Sequence, residues 1–382
     1  MDLLGYLDKF GTKSFLDRPF NDVDALICAQ LSYINFELCA PTLENNSLRP
    51  LALKDLDLSL AKKLSKDEFT QDKNPLLLTK LKSSVRYQDA QICYIEDSHC
   101  LSVEKQFYAL TIILPNGIRY ISFRGTDWTL VGWKEDCNMS FIEEVPSQTE
   151  AINYVKKVTN LFKEDFYIGG HSKGGNLSFY AAIMMDEDLK NRCLKAYSFD
   201  GPGFHDDSIY KCDGYIHMKK KLVKFVPFDS CVGVILSHIK NPKVVDAHSL
   251  GVLQHNPYNW KIDAKTGEFI FKEKRATSSY ILERAFSQWL NSLSMEERKL
   301  TTESIFELLG GTKNNLSNLT KNFYLTIHGF IRVHASYSKE TKEKLNDILK
   351  RLFYYHKRAK AYFAKKENVV KSDKLTCAKE GE

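Results

Sequence analysis

The sequence predicts an α/β protein, with a mainly parallel sheet flanked by helices and continued by a helical C-terminal extension. Three observations predict this. Through the middle of the 382-residue chain, short β-branched and aromatic runs alternate with helical patterns, an order that suits parallel strands covered by helices on both faces. Within that alternation, Phe166-Tyr-Ile-Gly-Gly-His-Ser-Lys-Gly-Gly-Asn-Leu reads as strand, glycine-flanked turn and helix. Beyond Lys274 the strand signals stop and only helical patterns remain.

In chain order, residues 1–37 read as largely helical. In Asn21-Asp-Val-Asp-Ala-Leu-Ile-Cys-Ala-Gln-Leu, Val23, Leu26, Ile27 and Leu31 share one face, and Asn21 or Asp22 supplies an N-cap. Residues 51–82 form a polar, Lys/Asp-rich helical stretch bracketed by Pro50 and Pro75, which suggests an insertion or cap over the sheet. Strands are expected at 91–95, 107–114 and 119–123, the last two joined by the turn Pro115-Asn116-Gly117. Residues 127–147 are rich in apolar side chains and suit either a lid over an apolar substrate or a helix packed on the sheet. An amphipathic helix follows at 150–163. Strands are then expected at 166–168, 194–199, 222–227 and from Val244, with a hairpin at 260–271 around Lys265-Thr266-Gly267. In the C-terminal region, Ser294 and Glu297 form a capping box, Gly310-Gly311 a stop, and 315–334 and 339–366 long helical patterns. The expected organisation is a sheet domain over 1–275 and a helical region with a basic tail over 276–382.

Composition narrows the function classes. The net charge of +6 resides in the tail: residues 339–382 hold 13 Lys/Arg against 7 Asp/Glu, leaving the rest neutral. Such a tail suits either a solvated helix face or a contact with an anionic surface. Nine cysteines without CxxC spacing suggest reduced thiols, not a disulfide frame or zinc site. No secretory leader pattern and no run of about 18 apolar residues is present, so a soluble, cytoplasmic protein is expected. HExxH and the P-loop pattern are also missing, and no metal or organic cofactor is expected.

Gly170-His171-Ser172-Lys173-Gly174 fits the nucleophile elbow, a strained strand-to-helix turn that lifts a serine hydroxyl clear of the backbone. Gly170 and Gly174 are needed because a Cβ two residues either side of the serine would crowd the turn. A serine nucleophile needs a base and an orienting acid, which in proteins built on this elbow follow it with the acid first and the histidine second, each at the C-terminal end of a strand. Two acids sit at strand ends: Asp200, in an Asp-Gly-Pro-Gly turn, and Asp229, which could also cap a following helix. Asp229 is the slightly favoured choice. His248 and His255 are the candidate bases, and His171, inside the elbow, is expected to be structural. The oxyanion hole should combine the backbone N–H of Lys173 with a donor from the loop after the third strand, where Thr126 carries both an N–H and a hydroxyl.

These pieces resemble the class 3 lipases, and more closely an uncharacterised bacterial branch of that superfamily, a domain of unknown function. The resemblance rests on Leu31-Ser-Tyr, Phe123-Arg124-Gly125-Thr126-Asp127, Gly132-Trp-Lys-Glu-Asp, Gly170-His-Ser-Lys-Gly-Gly-Asn, Asp200-Gly-Pro-Gly-Phe, Val226-Pro, Val232-Gly and Gln254-His255-x-Pro-x-x-Trp260. It implies an α/β-hydrolase fold, Ser172 as nucleophile, Thr126 in the oxyanion hole and His255 as base. It leaves the acid between Asp229 and Asp200. The expected activity is hydrolysis of a carboxylic ester, with a lipid among the candidate substrates and acyl transfer as a variant. The rival expectation is a non-catalytic lipase-like module that binds anionic membrane, or less readily nucleic acid, through its basic C-terminal helices.

Overall fold

The computed structural model describes residues 1–37, 39–46, 49–60, 73–127, 130–310 and 337–379. The expected helical pattern at 315–334 therefore lies outside the described residues. Nine strands form one mixed sheet in sequence order: β1 (Leu51–Ala52), β2 (Gln91–Cys100), β3 (Lys105–Ile113), β4 (Arg119–Phe123), β5 (Phe166–His171), β6 (Cys193–Phe199), β7 (Leu222–Pro227), β8 (Lys243–Val245) and β9 (Phe271–Lys272). The five central strands, β4 to β8, are parallel, while β1 to β4 and the β8–β9 edge pair antiparallel. The Pro115-Asn116-Gly117 turn joins β3 to β4, with Gly117 at φ +85°, where a Cβ would be strained.

Helices cover both faces. On one side α1 (Leu3–Phe10) and α2 (Asp22–Leu31) bury Leu7, Leu26 and Ile27 against Tyr120 and Tyr197, together with α3 (Lys73–Ser83). Asn21 caps α2 through bonds from the N–H groups of Val23 and Asp24. A fully buried ion pair fixes this layer: Arg86 Nε donates to Asp24 at 2.9 Å, and the Tyr6 and Tyr87 hydroxyls donate to the same carboxylate. On the other face, α5 (Pro146–Thr159) and α6 (Lys173–Met184) bury Tyr154, Val155, Leu177 and Ala181 against Phe123 and Ile168. Two short helices, α7 (Glu187–Arg192) and α8 (Asp213–Met218), complete the crossovers.

One expectation changes and two are met in part. The 51–82 stretch is not one long helix: Leu51 and Ala52 pair with β2 because their backbone groups complete a sheet edge; residues 61–72 of the stretch lie outside the described residues, and its end forms helix α3. The hairpin expected at 260–271 is present as a short antiparallel pairing of Ile262 with Phe269, flanked by bonds from Asp263 N–H to Glu268 and from Ile270 N–H to Lys261, and closed by Asp263 accepting from the N–H groups of Lys265 and Thr266. Residues 130–138 form helix α4 (Leu130–Asn138), with Glu135 fully buried at its centre.

The C-terminal helices α9 (Thr277–Asn291), α10 (Met295–Gly310) and α11 (Lys339–Lys379) pack on one another and on the sheet layer. Ser294 and Glu297 form the expected capping box at the start of α10. The Trp289 indole donates to the Ile348 carbonyl, and Arg351 pairs with Glu297, which ties α11 to both shorter helices. Arg298 reaches back to the Ser140 carbonyl just beyond α4. No helix among the described residues is long and apolar enough to cross a membrane.

Candidate active site

Parallel strands direct their C-terminal ends to one edge of the sheet, and the loops leaving β4, β5 and β6 carry Thr126, Ser172 and Asp200. Ser172 sits between β5 and α6 at φ 57° and ψ −132°, a conformation costly for a residue with a Cβ. The turn is tight enough to need its glycines: a Cβ on Gly174 would lie 2.1 Å from the Phe123 carbonyl oxygen. A Cβ on Gly170 would lie 2.4 Å from the Gly174 backbone. Ser172 is partly exposed while its neighbours on both sides are buried.

The side chain of Lys173 anchors this turn from below. Its ammonium is fully buried and donates to Glu135 at 2.7 Å and to the Gln106 carbonyl at 2.7 Å. Glu135 also accepts from the backbone N–H groups of Gln106 and Ser147. One carboxylate thus joins β3, α4, the start of α5 and the turn. Lys173 opens α6, so its own N–H has no intrahelical acceptor and is available beside Ser172.

His255 Nδ1 lies 2.6 Å from Asp200 Oδ2. A carboxylate only accepts, so Nδ1 carries the proton and Nε2 is the free, basic nitrogen. Asp200 is fully buried at φ 49°, and its other oxygen accepts from the Ser230 hydroxyl at 2.6 Å and the Gly233 N–H at 3.0 Å. Lys224, buried on β7, senses the charge of Asp200, but its own burial dominates and pulls its ammonium down to about 7. Asp229, favoured from sequence, is not the acid at this imidazole. Its carboxylate accepts from Ser278, and its N–H donates to Gln254. The loop after β7 turns the Asp229 carboxylate toward α9, whereas the left-handed backbone of Asp200 turns its carboxylate toward His255. The His248 backbone N–H donates to the Asn259 carbonyl, and its side chain does not line the cavity onto which Ser172 opens.

His171 is structural, as expected, but it also reaches the candidate base. Its Nε2 donates to the His255 carbonyl at 2.7 Å, its Nδ1 accepts from the Tyr33 hydroxyl at 3.0 Å, and the two imidazole rings pack at a tilt of 35° with centroids 4.5 Å apart. Burial first, then the neighbouring His255, holds His171 well below the usual histidine range, so it is neutral.

Ser172, His255, His171 and Thr126 open on one cavity of about 400 Å³. Among the described residues no hydrogen bond joins the Ser172 hydroxyl to His255; catalytic hydrogen bonds are often long without substrate. The Thr126 hydroxyl donates to Asp136 on α4. Burial pushes the Asp136 carboxyl up to about 6, against the pull of Lys173 and Thr126. Much of the remaining wall is apolar and comes from the C-terminal helices: Phe286, Trp289, Leu290 and Leu293. No signal in the sequence placed that region at the cavity. Glu135 and Asp136 were visible in Gly132-Trp-Lys-Glu-Asp, and Tyr33 in Leu31-Ser-Tyr, but without assigned contacts. Among the described residues no group of three or more His, Cys, Asp or Glu side chains is placed to hold a metal ion.

A raised carboxyl has a defined signature in stability. The folded state holds the Asp136 proton more tightly than the unfolded chain, so between pH 4 and 6 stability falls as pH rises, by about 3 kcal/mol at most. Asp136→Asn removes that loss. Denaturant titrations should find the variant more stable than the parent at pH 8 and the difference gone below pH 4.

Comparison with known proteins adds three findings. No curated protein matches the chain. Among solved structures, the crystal structure of M37 lipase superposes with a TM-score of 0.33 at 13% identity, over 56% of this chain and 68% of that one. A model of the Mbeg1-like family matches residues 81–307, a span that holds Thr126, Ser172, Asp200 and His255 together with the α9 wall of the cavity. This chain belongs to the Mbeg1-like family.

Proposed function

We propose that the protein is a serine ester hydrolase on a lipase-like α/β-hydrolase fold. The observation that carries this reading is a serine in left-handed backbone at a strand-to-helix turn, facing an apolar cavity that it shares with a carboxylate-oriented imidazole. In the proposed cycle the Ser172 oxygen attacks the ester carbonyl while its proton passes to His255 Nε2. Asp200 keeps the imidazole in the required tautomer and stabilises the imidazolium. The tetrahedral oxyanion is met by the N–H of Lys173 and that of Thr126. The Thr126 hydroxyl is committed to Asp136, so its amide is the better placed donor. The imidazolium then protonates the departing alkoxide, leaving an acyl-enzyme on Ser172. Water, deprotonated by His255, releases the acid; an alcohol in its place would make the reaction acyl transfer. Helix α4 closes over part of the cavity through Asp136, Cys137 and the adjoining Ser140, a place consistent with a lid. In this reading residues 1–275 are the hydrolase domain, and the helices after it complete its cavity.

The test is covalent labelling. A fluorophosphonate should modify the native protein at Ser172, located by peptide mass mapping, with no labelling of Ser172→Ala. A folded protein that does not react, or that reacts equally in both forms, would remove the hydrolase reading.

A second reading, peripheral contact with anionic membrane, is favoured by one observation. Helix α11 exposes Leu349, Phe353, Tyr354 and Tyr362 among Lys350, Lys357, Arg358 and Lys360, an apolar and basic mixture that suits a lipid headgroup layer. Flotation with phosphatidylserine vesicles should carry the protein at low salt and lose it near 0.5 M. Flotation unchanged in Phe353→Ser/Tyr362→Ser would contradict a role for this face.

A further inference from the structure

The cavity has a charged feature that ester hydrolysis does not use. Arg298, on α10, lines the same cavity as Ser172 and His255. Its Nε and one terminal nitrogen donate to the Leu290 carbonyl at 3.1 and 2.6 Å, and the other terminal nitrogen donates to the Ser140 carbonyl at 2.5 Å. These bonds clamp the end of α9 to α10 and to the chain after α4, and that clamp alone would be a structural role. It leaves the arginine unneutralised. Arg86, Arg275 and Arg351 each reach a carboxylate; Arg298 reaches none among the described residues. The carboxylate in this wall, Asp136, is taken by Thr126. Partial burial lowers the Arg298 pKa, and no neighbouring negative charge acts to raise it.

A guanidinium carries five N–H donors, and three are used here. The two that remain belong to the terminal nitrogens, the pair that grips a carboxylate or phosphate. A cation beside an apolar wall is poorly solvated, so an anion entering the cavity gains more from it than it would in water. Phe286, Trp289 and Leu293 supply the surface for a hydrocarbon chain in the same cavity.

We propose that the cavity takes an acyl ester that also carries an anionic group, with its chain against α9 and the anion on Arg298. This rests on reading the cavity as an ester site, and it names the substrate class: monoacyl lipids with a phosphate headgroup over neutral monoacylglycerols.

Binding tests it without turnover. In the Ser172→Ala background, isothermal titration would compare 1-oleoyl lysophosphatidate, monooleoylglycerol and glycerol 3-phosphate, each below its aggregation concentration. The proposal expects lysophosphatidate to bind at least tenfold tighter than monooleoylglycerol and far tighter than glycerol 3-phosphate. Arg298→Gln should bring the first ratio close to one, and Arg298→Lys should keep part of it. A ratio near one in the parent, a ratio that survives Arg298→Gln, no binding of either lipid, or glycerol 3-phosphate binding as tightly as the lipid would each overturn it. The parent ratio stands even if Arg298→Gln does not fold. A protein that shows this preference but never labels at Ser172 would retain the anion site and lose the hydrolase reading.

Discussion

The buried ion pair between Lys173 and Glu135 is the contact on which the rest of the site depends. Two charges removed from water are tolerated only when each is fully hydrogen-bonded, and removing one partner of such a pair costs about 3–5 kcal/mol. Here Glu135 takes the ammonium and two backbone N–H groups, and Lys173 takes a backbone carbonyl as well. The pair therefore fixes the turn that holds Ser172 in its strained backbone, and fixes α4 above it. Because α4 is fixed, Asp136 meets Thr126 in the wall of the cavity.

The sheet supplies the second level of order. Neighbouring parallel strands deliver Thr126, Ser172 and Asp200 to one edge, in three consecutive loops. His255 arrives from a 3₁₀ turn beyond β8 and is held from three directions: by Asp200 at the ring, by His171 at the carbonyl, and by the tilted contact between the two imidazoles. The C-terminal helices add what the sheet lacks, an apolar wall. Their attachment through Trp289 to Ile348 and Arg351 to Glu297 means that α11, with its basic and aromatic surface, is mechanically continuous with the cavity that holds Ser172.

The elbow, the strands around it and the capped helices α2 and α10 were legible in the sequence because each is specified locally, by glycine placement, apolar alternation or a capping side chain. His255 was reached through its resemblance motif, not by spacing. The choice of Asp229 over Asp200 failed because both end parallel strands, and what separates them is a backbone conformation. Asp200 adopts φ 49°, and Gly233 approaches so closely that a Cβ there would lie 2.4 Å from its carboxylate. The contribution of α9 and α10 was invisible for a similar reason: Phe286 and Trp289 look like any core-facing helical residues until the fold places them over the serine. Glu135 and Asp136 show the converse, a motif readable as a pattern whose chemistry depends on partners far along the chain.

The account turns on Asp200, through His255, activating Ser172. The rate of Ser172 phosphonylation in Asp200→Asn and in Asp229→Asn tests it most directly. The account predicts a loss of about 10⁴-fold for Asp200→Asn, from the wrong imidazole tautomer, and a rate within about twofold of the parent for Asp229→Asn. Comparable losses in both, or the larger loss at Asp229, would contradict it.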